Sequence, residues 1–320
     1  MDDEKKDKIY KLVQAFLAYS PLIVWGSGAT IPFGLPSMFQ LNEEIGKQIS
    51  GFDIDNDNLE KELSQEKYEQ GMEEIKQVIW DTINQRDKEA LQKLLNRSHE
   101  FNGLQLLIKT ITDTHPKIAN IITTNYDRVL EYVMSYEDIA YTDGFNGQML
   151  SNFKEANFKD KNLVNLIKVH GSLNWFEING TTRYLDCCQV DKKPQIITPS
   201  NNKYQEAYRS PYRELIQKSD DCITKAGGFL IVGFGFSDEH LTPRIITQIN
   251  HGTPIVLITK QITKNSHKEL KRAEKFVLFE ESRNQDMTKV IYKENKETDK
   301  QEIELEGSLW QLNQFMEIIK

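Results

Sequence analysis

The sequence predicts an α/β fold, a Rossmann-like parallel sheet with helices on both faces and a helical insertion. Three observations carry that prediction. Short apolar runs, each the length of a buried strand, alternate with amphipathic stretches of helical length. Four of the runs end in glycine or polar punctuation, where strands of a parallel sheet meet their ligands. Between the first two runs lies a Glu-, Lys-, Gln- and Leu-rich segment without a strand pattern. The expected division is a sheet domain over residues 1–36 and 114–320, with an insertion over 37–113.

Length and composition bound the answer. A chain of 320 residues can bury a large core, and 38% hydrophobic with 28% charged residues is an ordinary globular balance. A net charge of −8 argues against direct nucleic-acid binding or a membrane surface. The N-terminus is charged and lacks an apolar signal core, and no run approaches the length of a membrane span. The cytoplasm is therefore the expected compartment. The three cysteines, Cys187, Cys188 and Cys222, contain no Cys-x-x-Cys pair. They are expected to be reduced and structural, and no metal is expected.

The elements follow in order. Ile9, Leu12, Val13, Phe16 and Leu17 share one face of a helix over 4–19. Leu22 to Trp25 is a buried strand that breaks at Gly26-Ser27-Gly28. Ser37 caps a helix carrying Met38, Leu41, Ile45 and Ile49 on one stripe. The insertion reads as helices over about 58–68, 70–84, 88–97 and 101–113. Asp53, Asp55 and Asp57 alternate there as calcium-loop ligands do. Asn58 and Ser64 stand where that loop needs glycine and glutamate, so a solvated acidic turn is expected.

Strands resume with Ile118 to Thr124, followed by a helix over about 128–137 and a loop over 140–160. Leu163 to Val169 is a strand ending at His170-Gly171. Asn179-Gly180 between two β-rich runs predicts a hairpin, since both turn positions need positive φ. A short extended segment, Gln195 to Pro199, leads to a helix over about 203–219. Gly228 to Val232 is a strand ending in Gly233-Phe234-Gly235. A helix over 239–250 with Pro243 in its first turn, a strand at Ile255 to Ile258 and edge strands at 275–279 and 289–293 come next. A charged loop over 293–306 and a helix over 309–319 close the chain.

The four strand ends bring Gly26-Ser27-Gly28, Thr124-Asn125-Tyr126-Asp127, His170-Gly171-Ser172 and Gly233-Phe234-Gly235 to one sheet edge. Glycine turns can present backbone N–H groups to a pyrophosphate, or serve as plain turns. His170 can act as a base near neutral pH, or be a core histidine. Asn125 can orient a water or hydroxyl, or cap the next helix. Asp127 can accept from an amide and stabilise positive charge, or cap the same helix. Together the set suits cleavage of a nucleotide's N-glycosidic bond. Asp238-Glu239-His240 reads as a helix start, because consecutive helical residues point in different directions.

At these strand ends the chain resembles the sirtuin fold of the NAD-consuming silent-information-regulator superfamily. Gly26-Ser27-Gly28-Ala29-Thr30 with Gly34-Leu35-Pro36 looks like that family's first NAD loop. Thr124-Asn125-Tyr126-Asp127 looks like its Thr-x-Asn-x-Asp motif, and His170-Gly171 like its catalytic pair. Gly233 to His240 resembles the adenosine-side loop of a bacterial sirtuin-like branch. The order agrees over about residues 20–260.

The resemblance implies NAD as substrate. Asn125 would contact the nicotinamide ribose and place the attacking water, His170 would be the base, and Asp127 would meet the carboxamide. Gly26, Ser27, Gly28, Ala29, Thr30, Gly34 and Pro36 would hold the pyrophosphate and cover the ribose. Gly233, Gly235 and Ser237 would line the adenosine side, and Thr124, Gly171, Ser172 and Asp238 would also bind the NAD. The paired cysteines of a zinc module are missing, and Ser37-Met38-Phe39 replaces the Asp-Phe-Arg usual in deacylases. Both departures point to the branch that hydrolyses NAD in abortive anti-phage defence, over a protein deacylase or a non-catalytic NAD or ADP-ribose sensor. A homo-oligomer and a separate regulatory partner, by analogy a HerA-type ATPase, are implied.

Overall fold

Four consecutive apolar residues form a strand when both faces of the sheet are covered. Leu22–Trp25 (β1) does so at the centre of the molecule. Leu22 and Val24 enter the hydrophobic cluster on one face, Ile23 and Trp25 the cluster on the other. The structure is a computed structural model that describes residues 2–19, 21–54, 59–113, 118–159, 163–186, 192–198 and 208–319.

In chain order the helices are Asp2–Phe16 (α1), Met38–Gln48 (α2), Leu59–Leu63 (α3), Met72–Leu95 (α4), Asn102–Asp113 (α5), Val129–Tyr136 (α6), Tyr212–Lys225 (α7), Thr242–Asn250 (α8), Lys264–Glu269 (α9) and Leu312–Ile319 (α10). The strands after β1 are Ile118–Thr123 (β2), Tyr141–Thr142 (β3), Leu150–Asn152 (β4), Leu163–Lys168 (β5), Gly171–Ile178 (β6), Thr181–Leu185 (β7), Pro194–Ile196 (β8), Phe229–Val232 (β9), Ile255–Ile258 (β10), Phe276–Glu281 (β11), Met287–Lys293 (β12) and Gln301–Glu306 (β13).

The main sheet has the order β13-β12-β11-β10-β9-β1-β2-β5-β3. Every pair from β3 to β11 is parallel, and β12 and β13 close one edge antiparallel. A second, antiparallel sheet has the order β4-β7-β6-β8. The chain leaves β1 toward β2 and later returns to its other side at β9. That change of direction is the topological switch point of the sheet, where a crevice opens beyond the strand ends. This is the expected α/β architecture.

Several elements differ from expectation for physical reasons. The expected helices over 70–84 and 88–97 are one helix, α4. Its polar middle is no break, because Asn84 and Asp87 are buried, and Asp87 faces an arginine across the site. The expected loop over 140–160 contains β3 and β4. The expected charged loop over 293–306 ends in β13, where buried Leu305 alternates with exposed glutamates. Its glutamates take their partners from the adjacent sheet edge (Glu302 with Lys289, Glu304 with Ser282 and Asn284), which is how an edge strand stays soluble. The helix expected over 203–219 runs over Tyr212–Lys225, and residues 203–207 of that expectation lie outside the described residues. Helix α9 was not expected. Asp55, Asp57 and Asn58 of the acidic turn, and Cys187 and Cys188, also lie outside the described residues, whereas Cys222 is buried on α7.

Residues 37–113 carry helices and no strand among the described residues. Leu41, Ile45, Ile79, Ile83, Leu104 and Ile108 of this segment join the same cluster as Ile23, Trp25 and Ile121 of the sheet. No helix among the described residues is long and apolar enough to cross a membrane.

Candidate functional site

The first and fourth strand ends are built against each other. Gly26 N–H donates to Val232 O at 2.9 Å and Gly28 N–H to Gly233 O at 3.0 Å. A Cβ on Gly26 would lie 2.4 Å from Gly233 O, and one on Gly233 would lie 2.1 Å from Ala29 N. Gly233 also has φ +59°, a conformation that disfavours any side chain. The glycines thus let two loops cross backbone to backbone at the switch point. Ala29 and Thr30 N–H donate to Gly26 O and Ser27 O. The N–H groups of Gly26, Gly28, Ala29 and Thr30 are therefore engaged within the protein, so the loop's fold explains these glycines without a phosphate.

The second strand end hangs from the first. Thr123 Oγ1 donates to Trp25 O at 2.8 Å and accepts from Asn125 N–H at 3.0 Å. Asn125 Nδ2 donates to Gly26 O at 3.1 Å and reaches Thr30 Oγ1 at 3.4 Å. With its amide nitrogen so held, the buried Asn125 has a single orientation, which is what a water-positioning group requires.

Asp127 is buried, and its Oδ1 accepts from Val129 N–H at 3.2 Å in the first turn of α6. Asp127 thus closes a side-chain turn just ahead of the N-cap, Arg128, while it also occupies the site. Burial pushes its carboxyl up to about 7. The nearby Lys168 opposes that rise, while Asp87 and Glu131 add to it. Lys168 is fully buried on β5 and donates through Nζ to Asp127 O at 2.5 Å and Glu131 Oε1 at 2.6 Å. Glu131 and Asp143 are also pushed up by burial. One ammonium thus stands among three buried carboxyls directly beneath the second loop. On the other side Arg128 donates through Nε and Nη2 to Asp87 Oδ2 of α4, at 2.9 and 2.7 Å, and its backbone N–H donates to Oδ1.

His170 follows β5 and is buried. Its Nε2 lies 3.0 Å from Asp238 Oδ2, close enough for an ion pair but without the alignment of a ring N–H hydrogen bond. Asp238 Oδ1 accepts from His240 N–H at 3.0 Å and Leu241 N–H at 2.8 Å, leading into α8. Gly171 has φ +91°, and a Cβ there would lie 2.2 Å from Gln195 O, so only glycine lets β6 turn away from His170.

These strand ends enclose a single cleft that opens to solvent at the sheet edge. Of the expected residues, Asn125, Asp127, His170, Ser27, Thr30, Pro36, Thr124, Gly233, Gly235, Ser237 and Asp238 line it. Gly26, Gly28, Ala29, Gly34, Gly171 and Ser172 do not. They lie behind the lining and shape the loops. Gly34 ends a short turn at φ +103°, and the fully buried Ser172 reaches Tyr126 O. Leu35, in the expected first loop, joins an apolar wall that sequence reasoning missed in Met38, Leu41 and Ile83, because a helix stripe reads as core whether it faces a core or a cleft. Sequence reasoning also missed Lys168, although a lysine inside an apolar strand is itself a sign of a buried partner.

A family model described as a SIR2-like domain matches residues 119–296, more than half of the chain. No curated protein matches it. Among solved structures, the crystal structure of a Sir2 homolog–NAD complex is similar at 14% identity and TM-score 0.48, over 84% of this chain and 87% of that one. A Sir2 enzyme studied for mechanism and regulation is similar at 11% identity and TM-score 0.45, over 82% and 90%. A Sir2–p53 peptide–NAD+ complex is similar at 12% identity and TM-score 0.44, over 79% and 87%.

Proposed function

This chain belongs to the SIR2-like family, and from that premise we propose that it is an NAD glycohydrolase releasing nicotinamide and ADP-ribose. One observation carries the proposal. Asn125, Asp127 and His170, from two different strand ends, line a single cleft at the switch point of the sheet. The reaction breaks the bond between the ribose C1′ and the nicotinamide nitrogen, and water supplies the new oxygen. Asn125, its amide nitrogen tied to Gly26 O, keeps its carbonyl oxygen to hold that water or the ribose hydroxyl. His170 takes the water's proton. Asp127, with a carboxyl poised near neutrality, can both donate to and accept from a carboxamide. The apolar wall of Leu35, Met38, Leu41 and Ile83 keeps bulk water from the reacting bond.

The same proposal places the enzyme in anti-phage defence, where loss of NAD arrests the infected cell. An enzyme that depletes its host's NAD has to be restrained. We therefore extend the proposal to a homo-oligomer controlled by a separate protein, by family analogy a HerA-type ATPase.

The test incubates the purified chain with NAD, with and without an acetylated peptide and a HerA-type partner. Nicotinamide and ADP-ribose released without peptide support the proposal. Release that needs the peptide and yields acetyl-ADP-ribose identifies a deacylase instead. Binding of NAD without release under every condition identifies a sensor.

A further inference from the structure

We propose that Asp238 is a positioning residue for His170, holding the imidazole in the tautomer that leaves one ring nitrogen free as the base. The inference rests on the glycohydrolase reading for its kinetic consequences, and on geometry alone for the pairing. From sequence, Asp238 in the fourth loop reads as a helix start and an NAD-binding residue. The structure gives it a different neighbour.

Both side chains are more than nine-tenths buried, at 7% and 6% relative exposure. The carboxylate is anchored, because its Oδ1 accepts the N–H groups of His240 and Leu241. That anchoring fixes where Oδ2 points, and Oδ2 lies 3.0 Å from His170 Nε2. The two atoms stand at hydrogen-bond distance without the alignment of a ring N–H bond. Site hydrogen bonds of this kind commonly tighten when substrate binds. With the proton kept on Nε2, Nδ1 carries the lone pair and takes the proton from the attacking water. The imidazolium so formed sits against a carboxylate, which stabilises it, and the proton leaves to solvent when the products depart. The fourth loop therefore does two things. It crosses the first loop through Gly233, and it orients the base through Asp238.

Asp238→Asn is the informative variant. Asparagine keeps an oxygen to accept the His240 and Leu241 N–H groups and is as good a helix cap, so the fold is preserved. Its amide nitrogen then donates to Nε2 and forces the proton to Nδ1, the wrong tautomer.

The experiment has an activity-independent arm and a kinetic arm. In the first, ring 15N signals of His170, assigned with the His170→Gln variant, are compared between wild type and Asp238→Asn. The proposal expects an Nε2-protonated ring in the wild type and a change of tautomer in the variant. Unchanged ring signals overturn it. In the second, the expected result is a kcat for NAD cleavage lower by about a hundredfold or more with KM unchanged. Asp238→Asn added to His170→Ala is expected to cost nothing further, because a residue acting through another has no effect once that residue is gone. A raised KM with kcat intact overturns the proposal in favour of a nucleotide contact. If the wild type cleaves no NAD, the glycohydrolase reading fails, and the 15N arm still decides the pairing.

Discussion

Asp127 carries three tasks at once: it lines the cleft, closes the turn ahead of α6 and shares the buried network of Lys168. Its pKa sets a pH dependence of stability whose sign is determined. The folded state holds the carboxyl near 7, above its ordinary 3.8, so between those values the folded protein binds a proton that the unfolded chain has released. Stability from this group is therefore greatest at acid pH, falls as pH rises through that window and is flat above it. Glu131 and Asp143 are displaced in the same direction and add to the trend. The denaturant midpoint is expected to fall between about pH 4 and pH 7, and Asp127→Asn, which keeps the acceptor for Val129 N–H, is expected to flatten the fall. A midpoint that rises over this range contradicts the assignment. Lys168→Met removes the one cation among these groups and strands Glu131 and the Asp127 carbonyl. A loss of about 3–5 kcal/mol is expected in equilibrium unfolding, the cost of breaking a buried ion pair from one side.

At the scale of elements, α4 is the strut of the site. It touches three of the four strand-end segments. Lys93 donates to Phe33 O at 3.2 Å in the first loop, Asp87 clamps Arg128 after the second, and Trp80 Nε1 donates to Leu173 O at 2.9 Å beyond His170. Ile83, on the same helix, lines the cleft. Asp87→Ala removes a buried carboxylate that accepts from both the Arg128 guanidinium and the Tyr132 hydroxyl. The expected result is a stability loss of about 3–5 kcal/mol together with a fall in kcat, because the loop carrying Asn125 and Asp127 loses its brace. Gly233→Ala tests the loop crossing. It forces a Cβ against Ala29 N and strains a positive φ, so loss of NAD binding and a lower thermal midpoint are expected. A Gly233→Ala protein that binds NAD as the wild type does would show that the crossing does not shape the cleft.

At the scale of the whole molecule, the parallel sheet and its ligand edge were legible because buried parallel strands read as unbroken apolar runs, and their ends as glycine and polar punctuation. β1, β9 and β10 are unbroken, and β2 and β5 are interrupted within by Asn120 and Asn165, which meet each other across the ladder. What was illegible has one physical source, namely polar residues whose reason lies far away in sequence. Asp87 looked like a helix break because its partner, Arg128, is 41 residues on. β13 looked like a solvated loop because an edge strand is defended by charge. The neighbourhood of Asp238 and His170 was hidden because their 3.0 Å separation exists only in three dimensions. The candidate base, water-holding amide and carboxyl were each visible as residues, but their convergence on one cleft beside an apolar wall was not.

That convergence is tested most directly by counting nicotinamide released from NAD by the wild type, Asn125→Ala and His170→Ala under the condition in which the wild type is most active. Nicotinamide release by the wild type with equimolar ADP-ribose, lost in both variants while their thermal midpoints hold, is the predicted result. Release at the wild-type rate by either variant would contradict the account.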